Sequence, residues 1–198
     1  MANAKANKQL HLKLVRTSYL YVFEPYKGDD DSKGSYCSHL LFAPTHAQAP
    51  EVNAAIVEVG QQFWKDEWPQ VLEELRGKDR LCLHRGEVGK PGQAAYKGML
   101  YLSSNNRNRP TVVDGNRNPL SAKDGIVYSG CWVNAIVSIW AQQSPKWGKR
   151  INCELNGIQF ARDDERLSGG GRAAAAEEFG VAGADADAPP PAAMAGLV

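Results

Sequence analysis

The spacing of apolar and polar positions changes several times along the 198 residues. Residues 9–23 begin by alternating, with Leu10, Leu12 and Leu14 on one side and His11 and Lys13 on the other, then turn aromatic at Tyr19, Tyr21 and Phe23. That pattern predicts a strand, or a strand with a bend. A polar, Asp-rich loop over residues 25–34 leads to a second strand at residues 36–43. The period then lengthens. Pro50 opens a helix whose Val52, Ile56, Val59 and Phe63 share one stripe, and Pro69 stands in the first turn of another over residues 68–75. Trp64 and Trp68 sit among Asp66, Glu67, Glu73 and Glu74, so they are expected to pack on the body, since these acids would repel phosphate.

Short strands are predicted at residues 81–84, 96–104 and 111–113. Residues 86–93 form a flexible loop whose glycine spacing does not suit a phosphate loop, and Pro91 stands where Ser or Thr would be needed. In residues 96–104, Leu100 and Leu102 oppose Lys97, Met99, Tyr101 and Ser103, which puts Lys97 and Tyr101 on a face away from the core. A basic turn with Arg107 and Arg109 follows, and Asp114-Gly115 marks another. Residues 126–140 read as the longest strand. Val127, Cys131, Val133, Ala135, Val137 and Ile139 form an apolar set, while Tyr128, Trp132, Asn134, Ser138 and Trp140 mix aromatics with small polar groups. A connection over residues 144–150 carries Lys146, Trp147, Lys149 and Arg150 before a final strand at residues 151–161.

Five or six irregular strands with one helical insertion predict a mainly β fold, a small closed barrel, and the five-stranded OB-fold is the barrel most often adapted to single strands. Because every nucleobase has a π-face, aromatics beside cations are what gripping a single strand requires. The expected stacking residues are Tyr101, Trp132, Trp140 and Trp147. Lys97, Arg107, Arg109, Lys146, Lys149 and Arg150 are the expected phosphate contacts. The competing class is a scaffold whose aromatic face is a protein interface.

Beyond Leu167 the composition shifts to Gly, Ala and Pro runs, so residues 1–167 are read as the domain and residues 168–198 as a disordered, mildly acidic tail. Up to Arg172, 23 cations face 18 acids, a net +5, and the four remaining acids lie beyond it. The start lacks the apolar stretch of a secretory signal and no run is long enough to span a bilayer, which predicts a cytoplasmic protein. Four dispersed cysteines suit buried, reduced thiols. Cys37-Ser38-His39 and Cys82-Leu83-His84 would converge on zinc only if they lay on neighbouring strands, and ribbon and finger spacings are absent. No catalytic signature is present, and no cofactor, metal or catalytic residue is assigned. A metal-dependent nuclease with Asp114, Asp124 and a histidine as ligands is the weaker alternative.

Several motifs carry a family likeness: Arg16-Thr17-Ser18-Tyr19 leading to Phe23-Glu24-Pro25, Arg109-Pro110-Thr111-Val112-Val113-Asp114, Asn118-Pro119, and above all Tyr128-Ser129-Gly130-Cys131-Trp132-Val133. With Leu155-Asn156-Gly157-Ile158-Gln159 and Arg162-Asp163 they make residues 10–167 resemble tailed-phage single-stranded-DNA-binding proteins with an OB-fold. The resemblance implies protection of DNA replication and recombination intermediates without catalysis, pairing of subunits, and an acidic tail that contacts replication proteins and competes with DNA. Residues 168–198 depart from that pattern, with four scattered acids and the sequence Gly196-Leu197-Val198 in place of a dense acidic stretch with an aromatic.

Overall fold

A computed structural model of the protein describes residues 6–28 and 34–167. The tail expected at residues 168–198 lies outside the described residues. Seven strands form one sheet: β1 (Asn7–Tyr26), β2 (Ser35–Phe42), β3 (Leu83–Arg85), β4 (Leu100–Asn106), β5 (Thr111–Val113), β6 (Trp132–Ser144) and β7 (Gly148–Arg162). Their order is β3-β4-β2-β1-β6-β7-β5, and a parallel pairing of β4 with β7 at Ser104↔Cys153 and Asn105↔Glu154 joins the sheet to itself. Strands β1, β2, β4, β7 and β6 thereby close a five-stranded OB-fold barrel. The second edge of β4 is shared, bonded to β3 over its first residues and to β7 farther on.

Alternation does what a barrel requires of it. Leu40, Leu102, Val133, Val137, Ile139, Ile151 and Leu155 point inward and are fully buried. The long first strand bends at two bulges, where Leu14 and Tyr19 take left-handed backbone angles and the register slips by one residue. The first bulge overturns one expectation: it turns Leu14 out to solvent and brings Val15 into the core in its place.

The helical insertion lies between the second and third barrel strands. Helix α1 (Ala49–Trp64) starts at Gln48-Ala49-Pro50, and its Val52, Ile56 and Val59 enter the same core as the barrel. Helix α2 (Trp68–Gly77) follows, with Val71 and Leu75 inward. Trp64 and Trp68 are buried, as their acidic surroundings suggest, with rings stacked at 5.8 Å and 9°. The Trp64 Nε1–H donates to Gln143 Oε1 at 2.7 Å, tying the insertion to β6.

Four boundaries differ from the alternation pattern, the first being the strand expected over residues 96–104, which begins only at Leu100 and leaves Lys97 in the turn before it. Strand β6 begins at Trp132, because Gly130 has φ +118° and the Cys131 N–H turns back to the Tyr128 carbonyl at 3.2 Å. The connection expected over residues 144–150 is only Pro145-Lys146-Trp147, so Lys149 and Arg150 belong to β7. Residues 86–93 are not an open loop: they begin with a single helical turn, α3 (Gly86–Gly89), packed against the sheet.

Candidate nucleic-acid interface

In an OB barrel, ligands meet the outer face of the second and third strands and the loops joining strands one to two and four to five. Here these are β2, β4, the chain after Tyr26 and the β6–β7 turn. An exposed aromatic stands beside a lysine at the end of β1 and again in the β6–β7 turn. Tyr26 is 50% exposed next to Lys27, and Trp147 is 54% exposed with Lys146 Nζ 4.8 Å from its ring centre. The turn holding Trp147 is fixed by its N–H donating to Ser144 Oγ at 3.1 Å and by Gly148, whose φ of +67° closes the hairpin. Tyr21 leans on Tyr26 at 5.0 Å, and the Arg109 guanidinium lies 5.6 Å above Phe23.

The middle of the same face is a column of rings crossing four strands. Tyr19 tilts on His39 at 5.1 Å, His39 stacks on Tyr101 at 4.7 Å, and Tyr101 stacks on His84 at 4.9 Å. Lys90 Nζ sits 4.7 Å above Tyr19, and Gln93 Nε2 donates to the Tyr19 hydroxyl at 2.7 Å. Burial, followed by the electrostatic effects of Lys90 and His84, lowers the His39 pKa to about 4, and burial raises those of Tyr96 and Tyr101.

Trp132 and Trp140 point outward from β6, which neighbours β1 and β7, so they face away from β2 and β4. Arg162 lies 4.5 Å above the Trp132 ring, and the indole N–H donates to Asp164 Oδ2 at 2.6 Å. Arg16 donates to the carbonyls of Gly130 and Glu165, both at 3.0 Å, and Tyr128 donates to Asp163 and to the Asp164 carbonyl. The Trp132 bond and the Glu165 N–H keep the Asp164 carboxyl below the usual range.

The ten residues singled out from the sequence therefore separate into groups. Lys97 is exposed in the turn before β4, Arg107 and Arg109 are exposed after it, and Lys146 and Trp147 share the hairpin tip. Tyr101 corrects its expectation. It lies on the outer face, but it is only 4% exposed because residues 86–99 cover it and two imidazoles flank its ring. Trp132 and Trp140 are half-buried on the far side. Lys149 Nζ is drawn 3.4 Å from Glu74 Oε2 of α2, and half-buried Arg150 has its pKa lowered by burial and by Arg80.

The zinc and nuclease alternatives find no cluster. Cys82 lies in the core while His39 and His84 flank Tyr101, and among the described residues no three metal-ligating side chains converge. The Asp114 carboxylate accepts from Asn116 and Asn118, and that of Asp124 from Ser121, which lowers both pKa values. Sequence reasoning passed over Arg16, Tyr26, Lys27 and Arg162. Tyr26-Lys27 repeats the pairing of Lys146-Trp147, and that was the available signal.

A protein named p50 of Acyrthosiphon pisum secondary endosymbiont phage 1 is 33% identical over 174 residues, covering 86% of this chain and 92% of that protein. The single-stranded DNA-binding protein from bacteriophage Enc34, solved in complex with ssDNA, superposes with a TM-score of 0.63 at 26% identity, over 81% of this chain and 89% of that one. The single-stranded DNA-binding protein encoded by bacteriophage T7 shares the fold, with a TM-score of 0.52 at 12% identity over 98% of this chain and all of that one. With the family model for the Enterobacter phage Enc34 ssDNA-binding protein matching residues 8–189, the chain belongs to that family.

Proposed function

We propose that this protein binds single-stranded DNA with little sequence preference, along the outer face of β2 and β4 and between Tyr26 at the end of β1 and Trp147 in the β6–β7 turn. The observation that carries this reading is the matched pair of exposed aromatic–lysine dipeptides at these two places, which border an OB barrel's ligand face. Trp147 and Tyr26 stack on bases; Lys27, Lys97, Arg107, Arg109 and Lys146 hold phosphates, and Lys149 and Arg150 support the hairpin end. Tyr101 stiffens the floor of the site from beneath its cover. Trp132 and Trp140 lie on the opposite wall and stack only on a strand long enough to wrap the barrel.

Such binding protects single strands during phage DNA replication and recombination in the host cytoplasm. Recruitment of replication proteins by residues 168–198 and pairing of subunits belong to the same reading. Among the described residues no helix is long and apolar enough to cross a membrane.

Titration of tryptophan fluorescence with single-stranded and duplex DNA at two salt concentrations tests the proposal. Single strands of any base sequence should quench more strongly than duplex, with log affinity falling at about −0.7 per phosphate neutralised as log salt rises. Absence of quenching, or a complex indifferent to salt, would contradict it.

A further inference from the structure

The helical insertion creates a feature that single-strand binding leaves unused: a groove of about 990 Å³ between α1, α2 and β3. Its walls are largely apolar, with Ile56 and Val57 from α1, Leu72 and Leu75 from α2, and Leu83 and Met99 from the sheet side. Val88 stands 78% exposed at the rim. One wall is a strand edge. β3 is the last strand of the sheet and pairs with β4 alone among the described residues.

Two bonds fix which backbone groups of that strand are taken. Ser103 donates its N–H to the Cys82 carbonyl and Gly86 donates to the Met99 carbonyl, both at 2.8 Å. Bonded pairs recur at every second residue of an antiparallel ladder, so His84 turns its amide groups to Tyr101. The Leu83 N–H and C=O and the Arg85 N–H point the other way. They have no partner among the described residues.

The charged side chains along the groove are held by partners of their own, except one cation. Arg76 pairs with Glu73 at 2.7 Å, the Asp79 carboxylate is hydrogen-bonded to the His84 ring at 3.0 Å, and Glu87 keeps its charge while turned to the Gly98 N–H at 3.2 Å. Exposed Arg85 has no carboxylate partner among the described residues.

We propose that this groove receives an extended segment of a partner protein, apolar at alternate positions and carrying a carboxylate, which adds to the edge of β3 as a further strand. Donor, acceptor and donor at strand spacing match a polypeptide backbone, whereas a nucleic-acid strand offers no such row of amides. Alternate side chains of the added strand fall between the leucines of α2 and β3. Its carboxylate meets Arg85.

The test uses the full chain and a peptide with fluorescein on its amino end, fluoresceinyl-Gly-Gly-Glu-Val-Thr-Leu-Thr-Val-amide, read by anisotropy. The peptide should bind saturably, and replacing its Glu by Lys should weaken it about three- to fivefold, the scale of one exposed ion pair. Arg85→Glu should reverse that preference while leaving single-strand affinity unchanged. Replacing the central Leu by Pro, which removes a backbone donor and the extended pairing, should weaken binding about tenfold. Failure of the Glu peptide to bind, equal binding of the Glu and Lys peptides, or tolerance of the Pro change would overturn the proposal. Self-association abolished by Arg85→Glu without peptide binding would overturn it in favour of a second copy, and competition between peptide and single-stranded DNA would overturn it in favour of nucleic acid.

Discussion

His39 and Tyr101 stack at 4.7 Å with 28° between their planes, and His84 covers the other face of the same tyrosine at 4.9 Å. A phenol held between two imidazoles has no open face for a base. It is held there by residues 86–99, where a Cβ on Gly89 would come within 2.1 Å of the Tyr101 hydroxyl. The outer face of the barrel is thus partly core, with rings joining β1, β2, β4 and β3 beneath a local cover.

This arrangement makes stability depend on acidity. Burial, Lys90 and His84 lower the His39 pKa from 6.5 to about 4, and its Nδ1 shares a 2.8 Å hydrogen bond with the Tyr96 hydroxyl. The unfolded chain takes up a proton near pH 6.5 while the folded one resists until about 4. Stability is therefore lost progressively as pH falls between those values, by up to about 3 kcal/mol by linkage. Urea midpoints from pH 7.5 to 4 check this. His39→Gln should flatten that fall, and an equally steep fall in the variant would contradict the assignment.

Gly60 on α1 sets a second expectation. A Cβ there would lie 2.4 Å from three atoms of the Trp68 ring, whose plane is stacked on Trp64. Gly60→Ala gains about 1 kcal/mol in helix propensity but forces apart two buried indoles, an overpacking cost of about 1–3 kcal/mol. Net destabilisation is expected in urea unfolding. A stabilised variant would show that the rings yield easily.

Much of this was legible in the sequence, for a physical reason. Where side chains alternate against a single core, period alone locates the strand, as for Val133 to Ile139, and the stripe of α1 follows from Val52, Ile56 and Val59 in the same way. Contacts made by distant segments were not legible. Nothing near Tyr101 announces the cover supplied by residues 86–99, and nothing near Lys149 announces Glu74. Bulges also hide, because one inserted residue at Leu14 reverses which side chains point inward without altering composition.

Gly130 carries a third prediction. Its φ of +118° is strained for any other residue, and a Cβ would come 2.2 Å from the Glu165 carbonyl oxygen. Gly130→Ala should push residues 163–167 away from Tyr128 and Trp132. A loss of about 1–3 kcal/mol in unfolding and a shift in tryptophan emission are expected. An unchanged spectrum would mean that Asp164 keeps its hold on the Trp132 indole.

The two classes of tryptophan should separate in a paired experiment. Trp147 projects from the hairpin tip with Lys146 on its ring, so Trp147→Ala should leave the melting temperature unchanged while weakening single-strand binding by about 1–3 kcal/mol for any base sequence. Trp132 is held between Arg162 and Asp164, and Trp132→Ala should lower stability first, because it removes the partner of a carboxylate that fixes the end of β7. Lys146→Ala should reduce the salt slope of binding by about 0.7, the loss of one phosphate contact. If Trp132→Ala costs affinity at full stability while Trp147→Ala costs nothing, the strand runs over β6 and not across β2 and β4. The two walls of the barrel would then exchange roles.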